Sequence, residues 1–235
     1  MGEFRRNIAD LAAVAFGTLT APALRFIAAN RLSLRRFQSF SDRAGFQLRG
    51  PHYYEPTYPE SHLPAHTAVE RDLPGLDLNG EAQLALLEWF TFGDELKAIP
   101  LKKPSAAEFG YLNDMCSVGD AEAYYSFIRL FKPRRIIEIG SGNSTLMAQL
   151  AVAANRHDDA SYKCERTCIE PYEAAWLEST GVTVLRERVE TVALEIFDSL
   201  EANDILFIDS SHVIRPWGDV LREFQEIIPR LKPAC

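Results

Sequence analysis

Cysteine is scarce in this chain: four in 235 residues, at positions 116, 164, 168 and 235. So few thiols, irregularly spaced, exclude a disulfide-stapled scaffold and fit a reducing compartment, so the expected location is the cytoplasm. Cys164 and Cys168 have C-x3-C spacing, but no second Cys or His pair completes a zinc site. No metal centre is therefore expected, and Cys168 reads as a structural thiol in a buried strand. Positive charge is also short, with 25 Lys and Arg against 33 Asp and Glu, a formal charge of −8. That balance argues against nucleic acid as the partner, because phosphate binding needs a basic surface.

Long uncharged hydrophobic runs are missing too. The stretch Leu11–Leu24 has about 14 residues against the roughly 20 needed to cross a membrane, and Pro22 and Arg25 interrupt the pattern. A spanning helix is not expected. Arg5 and Arg6 before this stretch, with Ala21-Pro22-Ala23 after it, imitate a secretory leader, but Glu3 and Asp10 spoil its basic start.

What is present is an ordinary globular composition, 47% hydrophobic and 25% charged. Charge is uneven: residues 1–50 hold eight Arg and three acids, a net of +5, which leaves −13 for the remainder. Residues 1–45 read as a basic arm of one or two amphipathic helices, with Arg25, Arg31, Arg35 and Arg36 along one face. Such an arm suits peripheral membrane contact, packing on the acidic body, or a second copy of the chain in a homo-oligomer. Residues 46–118 form an extension. Its aromatic, proline-interrupted piece His52–Pro59 should be an extended loop, with Tyr53, Tyr54 and Tyr58 lining a pocket or packing on the surface. One helix follows, capped by Asp77 or Asn79, with Leu84, Leu87 and Phe90 at helical spacing towards Leu96, and Pro100 ends it.

From residue 119 to 235 the pattern becomes regular. A helix Ala121–Phe131 precedes the apolar run Ile136, Ile137, Ile139, a strand buried on both faces. Gly140-Ser141-Gly142 follows, and Asn143 and Ser144 can cap a helix running to Asn155. A strand at 166–169 ends on Glu170, a short helix covers 173–179, and a strand at 182–185 follows. A helix near 191–200, a strand at 205–208 closing on Asp209, and a last helix over 218–231 complete the series. Alternating strands and helices predict a doubly wound α/β fold with a parallel, Rossmann-like sheet.

Ligands of such sheets bind beyond the carboxyl ends of the strands. Glu138, Glu170 and Asp209 converge on that edge, beside the glycine turn and the open N–H groups of a helix start. The turn is not the dinucleotide fingerprint, because Thr145 stands where a third glycine belongs, and it is not a P-loop. With no basic phosphate ligand and with Glu138 facing the site, a ligand carrying positive charge is favoured. S-adenosylmethionine fits, whereas the pyrophosphate of a nicotinamide cofactor would be repelled.

E-x-G-S-G at Glu138–Gly142, Glu170 after the second strand and Asp209 after the fourth resemble the motifs of class I, Rossmann-like S-adenosylmethionine-dependent methyltransferases. Asp120–Leu146, Asn203–Leu231 with Asp209-Ser210-Ser211-His212, Tyr53–Pro56 and Asp72–Asn79 are similar to a bacterial group of small-molecule methyltransferases within that class. The resemblance implies that Gly140 and Gly142, with Ser141 and Ser144, meet the methionine part of the cofactor, and that Glu138 lies near its ammonium. It implies that Glu170 holds the ribose and Arg188–Val189 border the adenine. Asp209 and His212 would face a small-molecule hydroxyl or amine acceptor, with His212 as general base. The family's sheet has seven strands, whereas this sequence stops at Cys235, where a fifth would begin, so a C-terminally incomplete domain is expected. Two other functions fit less of the pattern: a catalytically inactive cofactor-binding or interaction protein, and an NAD-dependent oxidoreductase.

Overall fold

Four strands with β-branched, apolar cores pair in one all-parallel sheet: β1 (Arg135–Ile139), β2 (Glu165–Ile169), β3 (Thr183–Leu185) and β4 (Ile205–Ile208). Their order is β3-β2-β1-β4, so the chain runs outward from β1 in one direction and then crosses back to its other side. This strand-order reversal next to β1 is where doubly wound folds bind ligands. The computed structural model describes residues 2–30, 33–49, 77–113, 115–172 and 174–232, with side chains from residue 9 onward. The aromatic loop at 52–59, Arg31 and Cys235 lie outside the described residues.

The chain divides into two compact units, Met1–Gly75 and Leu76–Cys235. The boundary falls inside the extension expected at 46–118. In the first unit, α1 (Gly2–Ala29) runs unbroken for 28 residues and α2 (Arg35–Ala44) follows. Pro22 therefore does not end the helix, contrary to expectation. Proline removes one backbone donor, but the Ala- and Leu-rich flanks are strong helix formers and carry the helix through. Ala9–Ala29 is long and apolar enough to cross a membrane by length and composition.

In the second unit, β1 alternates strictly. Ile136 and Glu138 point to one side of the sheet, and Ile137 and Ile139 point to the other. The first side is covered by α5 (Asp120–Phe131) and α6 (Asn143–Asp158), whose Tyr124, Ile128, Met147, Ala151 and Val152 pack on Ile136 and Phe207. The second side holds Ile137, Ile139 and Ile169 against Val192, Phe197, Leu200 and Ile227. Asp204, 3% exposed, ties the strand starts together by accepting the N–H groups of Arg134 (2.9 Å), Arg135 (2.8 Å) and Glu201 (2.9 Å).

Several expected helices take other forms. The single helix after Asn79 is two, α3 (Gly80–Leu87) and α4 (Gly93–Lys97), because bulky and β-branched residues at 89–92 lose side-chain freedom in a helix. Asn79 precedes α3 in a left-handed conformation (φ 47°) and donates its N–H to Asp77 Oδ1 (2.8 Å), so its own side chain does not cap. Short 3-10 turns, Leu177–Thr180 and Leu194–Ser199, replace the helices expected at 173–179 and 191–200. The last helix starts as α7 (Asp219–Arg222), widens to a π-turn at Glu223–Ile227 and tightens to 3-10 geometry at Ile228–Arg230. Pro229 has no N–H for the regular ladder, which explains the irregular end.

Part of the extension belongs to this second core. Phe92, Leu96 and Ile99 pack against the α5–α6 layer. Arg129, 6% exposed, bonds Glu95 through Nε and Nη2 (both 2.8 Å), Asp158 (2.7 Å) and Asn155, and stacks on Phe92 at 5.1 Å. The Arg129 guanidinium holds Glu95 below the usual carboxylate range against the opposing effect of burial. A depressed folded pKa stabilises above the unfolded value and is lost as pH falls through the folded one. Glu95→Gln should therefore lower stability by about 1 kcal/mol at pH 7, discounted because Glu95 is partly exposed, and much less near pH 3. Urea midpoints at the two pH values measure the difference.

Candidate functional site

The carboxyl ends of β1, β2 and β4 open into a cleft of about 950 Å³. Its floor depends on Gly140, which has φ +79° and lies so close to β4 that a Cβ would sit 1.9 Å from the Asp209 carbonyl oxygen. Asp209 N–H donates to Ile139 O (2.8 Å) and Gly140 N–H to Ile169 O (3.1 Å), so three strand ends meet at this turn. A Cβ on Gly142 would meet nothing within 4 Å. The backbone there faces open space, and the first-turn N–H groups of α6 have no intrahelical acceptor.

Of the expected cofactor residues, the structure brings Gly140, Ser141, Gly142, Ser144, Glu170 and Asp209 together in the cleft lining. Glu170, 9% exposed, accepts Ser141 N–H (3.3 Å) and Tyr172 N–H (2.9 Å), which aims its carboxylate across the cleft. Ser141 Oγ is buried with no hydrogen-bond partner. Arg188 and Val189 also line the cleft. Arg222 pins that segment by donating to Glu190 O and Val192 O (2.7 Å each).

Glu138 does not join them. Its place in the alternation turns the side chain to the α5–α6 layer, where it is 1% exposed, beneath the start of α6. Oε2 accepts the Cys168 thiol (3.4 Å), and Oε1 has no partner. Burial raises its pKa, partly offset by the Thr145, Ser144 and Cys168 side chains. Cys168, facing it, is pushed up to about 12 by burial and by the Glu138 charge, as suits an inert core thiol. The negative charge expected of Glu138 is supplied in the cleft by Glu170, Glu190, Asp209 and Asp219 instead.

His212 Nε2 lies 2.9 Å from Asp209 Oδ1, yet its side chain is 75% exposed and it is not among the cleft-lining residues. Ser211 next to it is fixed by Asp219, which accepts its N–H (2.7 Å) and its hydroxyl (2.8 Å). Burial works to raise the Asp219 pKa, but the Ser211 bonds, the Val220 N–H and the Arg215 charge together hold the carboxyl low. Ala174, His212 and Trp217 all have positive φ (51°, 58° and 58°) and stand in or beside the cleft wall. Strained backbone of this kind gathers at ligand sites.

Lys103 carries no local signature in the sequence, and the glycine turn itself provides no basic group. It comes from the segment before α5. Gly110 packs so tightly on that segment that a Cβ would be 2.4 Å from Lys103 N, and Tyr111 N–H bonds Pro100 O (3.2 Å). Lys103 Nζ then donates to Asn143 Oδ1 (2.7 Å) at the start of α6 and lies 5.6 Å from the Trp176 ring centre. Asn113 braces the same corner, accepting from Asn143 Nδ2 (3.0 Å) and Cys116 N–H (2.8 Å). Arg188 and Arg215 add further positive charge to the lining. Only the Lys103–Asn143 contact, across 40 residues, could have revealed this group.

A strand, a glycine turn open to the cleft and an acid at the end of the next strand coincide with a family match. The model of a methyltransferase domain fits residues 137–235. Over those residues the chain is similar to a methyltransferase domain, and its all-parallel sheet is consistent with the class I, Rossmann-like fold. An uncharacterized protein of Archaeoglobus fulgidus is 33% identical over 144 residues, covering 58% of this chain and 63% of its own length. The chain thus spans less than two thirds of that relative. No solved structure matches the chain.

Two substitutions probe this architecture. Gly140→Ala places a methyl group on the Asp209 carbonyl and should unfold the second unit or lower its melting temperature by several degrees. Glu138→Gln tests the buried carboxyl. A folded pKa raised above the unfolded value makes wild-type stability fall as pH rises between the two values, a loss the amide lacks. The variant should match wild type near pH 4 and exceed it at pH 8, by urea titration at both.

Proposed function

We propose that this protein is an S-adenosylmethionine-dependent methyltransferase acting on a small-molecule hydroxyl or amine. The observation that carries the reading is the pairing of Glu170 with the Gly140–Gly142 turn across one cleft. A carboxylate there accepts both ribose hydroxyls, and the partnerless Ser141 Oγ and the open face at Gly142 suit the amino-acid part of the ligand. Lys103, beside the N-terminus of α6, is placed to meet the α-carboxylate of that part. When bound, the cofactor supplies an electrophilic methyl group, and this chain's residues align it with the acceptor and exclude water. The acceptor lies on the Ser210–Asp219 side, where Arg215 and Trp217 rim the cleft. His212, held by Asp209, serves as the base only if the acceptor reaches past the cleft rim. Its position therefore also favours a second reading, a protein that binds the cofactor without transfer.

Calorimetric titration with S-adenosylhomocysteine should give saturable binding, and absence of heat at near-millimolar ligand would remove the cofactor from this site. Glu170→Ala should weaken binding by about 1–3 kcal/mol, the cost of a lost charge-assisted bond. Lys103→Met should weaken S-adenosylhomocysteine about tenfold yet leave its decarboxylated analogue unaffected. Equal loss for both ligands would assign Lys103 to structure. Methyl transfer to any member of a hydroxyl and amine panel decides between the two readings.

A further inference from the structure

The first unit presents apolar surface that its described residues leave uncovered. Along α1, Leu11, Phe16, Leu19 and Phe26 are 70, 68, 83 and 62% exposed. The stretch Ala9–Ala29 has a mean hydropathy of 1.6, and none of its most apolar window is buried. A core helix of a water-soluble domain passes the same composition test but is mostly buried. At 1.5 Å per residue, these 21 residues extend about 31 Å, matching the ~30 Å hydrocarbon layer of a bilayer.

The Thr hydroxyls of α1 and the Asn30 amide just after it are also arranged for a dry environment. Thr18 and Thr20 return their hydroxyl donors to the Val14 and Phe16 carbonyls (2.8 Å each), and Asn30 Nδ2 donates to Phe26 O (2.8 Å). These groups are satisfied inside the helix, as a lipid-exposed segment requires. Arg25 is near the end of the stretch, where its long stem lets the guanidinium reach the headgroups.

Beyond α1 the character changes. In α2, Phe37, Phe40 and Ala44 share one side, and Arg35, Arg36 and Arg43 lie on the other sides. Phe37, Phe40 and Phe46 cluster with ring centres 6.0–6.3 Å apart, and Phe40 and Phe46 remain 52% and 41% exposed. An aromatic face flanked by arginines is the make-up of a helix lying in a membrane interface.

We propose that the N-terminal arm anchors this protein in an anionic lipid bilayer, with α1 crossing the hydrocarbon and α2 lying in the interface with its arginines on the headgroups. The excess of arginine after α1 places the following chain on the cytoplasmic side. This proposal does not depend on what the cleft binds.

The full chain, expressed in bacteria, should stay in the membrane fraction after alkaline carbonate. Once purified and reconstituted, it should float with phosphatidylcholine vesicles containing about 30% phosphatidylglycerol. Phe16→Asp with Leu19→Asp should cut the carbonate-resistant fraction more than about tenfold. The melting transition of the second unit should be unchanged, which separates loss of anchoring from misfolding. Arg35→Glu with Arg36→Glu should weaken flotation on anionic vesicles more than on neutral ones. Release by carbonate would mean surface adsorption only and overturn the crossing. Recovery in the soluble fraction, or a mature N-terminus beginning just after Ala23, would overturn the anchor altogether.

Discussion

The contact between Gly140 and the Asp209 carbonyl sets the geometry of everything around the cleft. β1 and β4 are neighbours in register, Ile139 opposite Ile208, so the residues that follow them must pass each other closely. Only a residue without a side chain fits, and its left-handed backbone turns the chain away from the sheet towards α6. The same turn aims Ser141 N–H at Glu170 and exposes the backbone at Gly142. A wider separation would dissolve the cleft floor, and a different turn would point the start of α6 elsewhere.

Around this point, buried polar groups fix the pieces that strands alone leave loose. Asp204 sets the starts of β1 and β4, Arg129 binds α4 to α5 and α6, Arg222 holds the segment after β3, and Asp219 holds Ser211. The first three join elements far apart in sequence, and each of the four sits where a missing partner would leave a polar group unsatisfied. Several buried polar atoms among the described residues escape that rule, two of them carboxyl oxygens. Glu138 Oε1 and Glu223 Oε1 are buried without partners, and burial raises both carboxyls. Both stand behind cleft-forming elements, Glu138 under the start of α6 and Glu223 beside Ser210. The fold tolerates that cost next to its ligand site.

Much of this was legible in the residues. The β-branched runs at 136–139 and 205–208 specify buried strands because such side chains pack well on a pleated surface. The glycine turn and the acid after β2 point to a nucleoside-bearing ligand for steric and hydrogen-bonding reasons that hold in any sheet of this kind. The side of Glu138 was legible too, since Ile137 and Ile139 face one layer and position 138 must face the other. Chemistry by residue type suggested the cleft, but the period-two alternation sent the side chain to the core. The continuity of α1 was not legible, because Pro22 reads as an interruption although its Ala- and Leu-rich flanks carry the helix through.

The sequence alone determined the strand–turn–helix unit, the alternation of elements and therefore the parallel sheet and the edge where ligands bind. Local spacing is enough for these, because strand and helix periodicities are properties of consecutive residues. Tertiary structure decided which charges share the cleft. Lys103 reaches Asn143, and Arg222 reaches the Glu190 and Val192 carbonyls, only after the sheet has formed. It also decided where helices stop, since the turns at 177–180 and 194–199 yield to packing on the sheet. Contacts between distant residues carry no periodic signature, so they exist in the sequence only as single polar residues waiting for a partner.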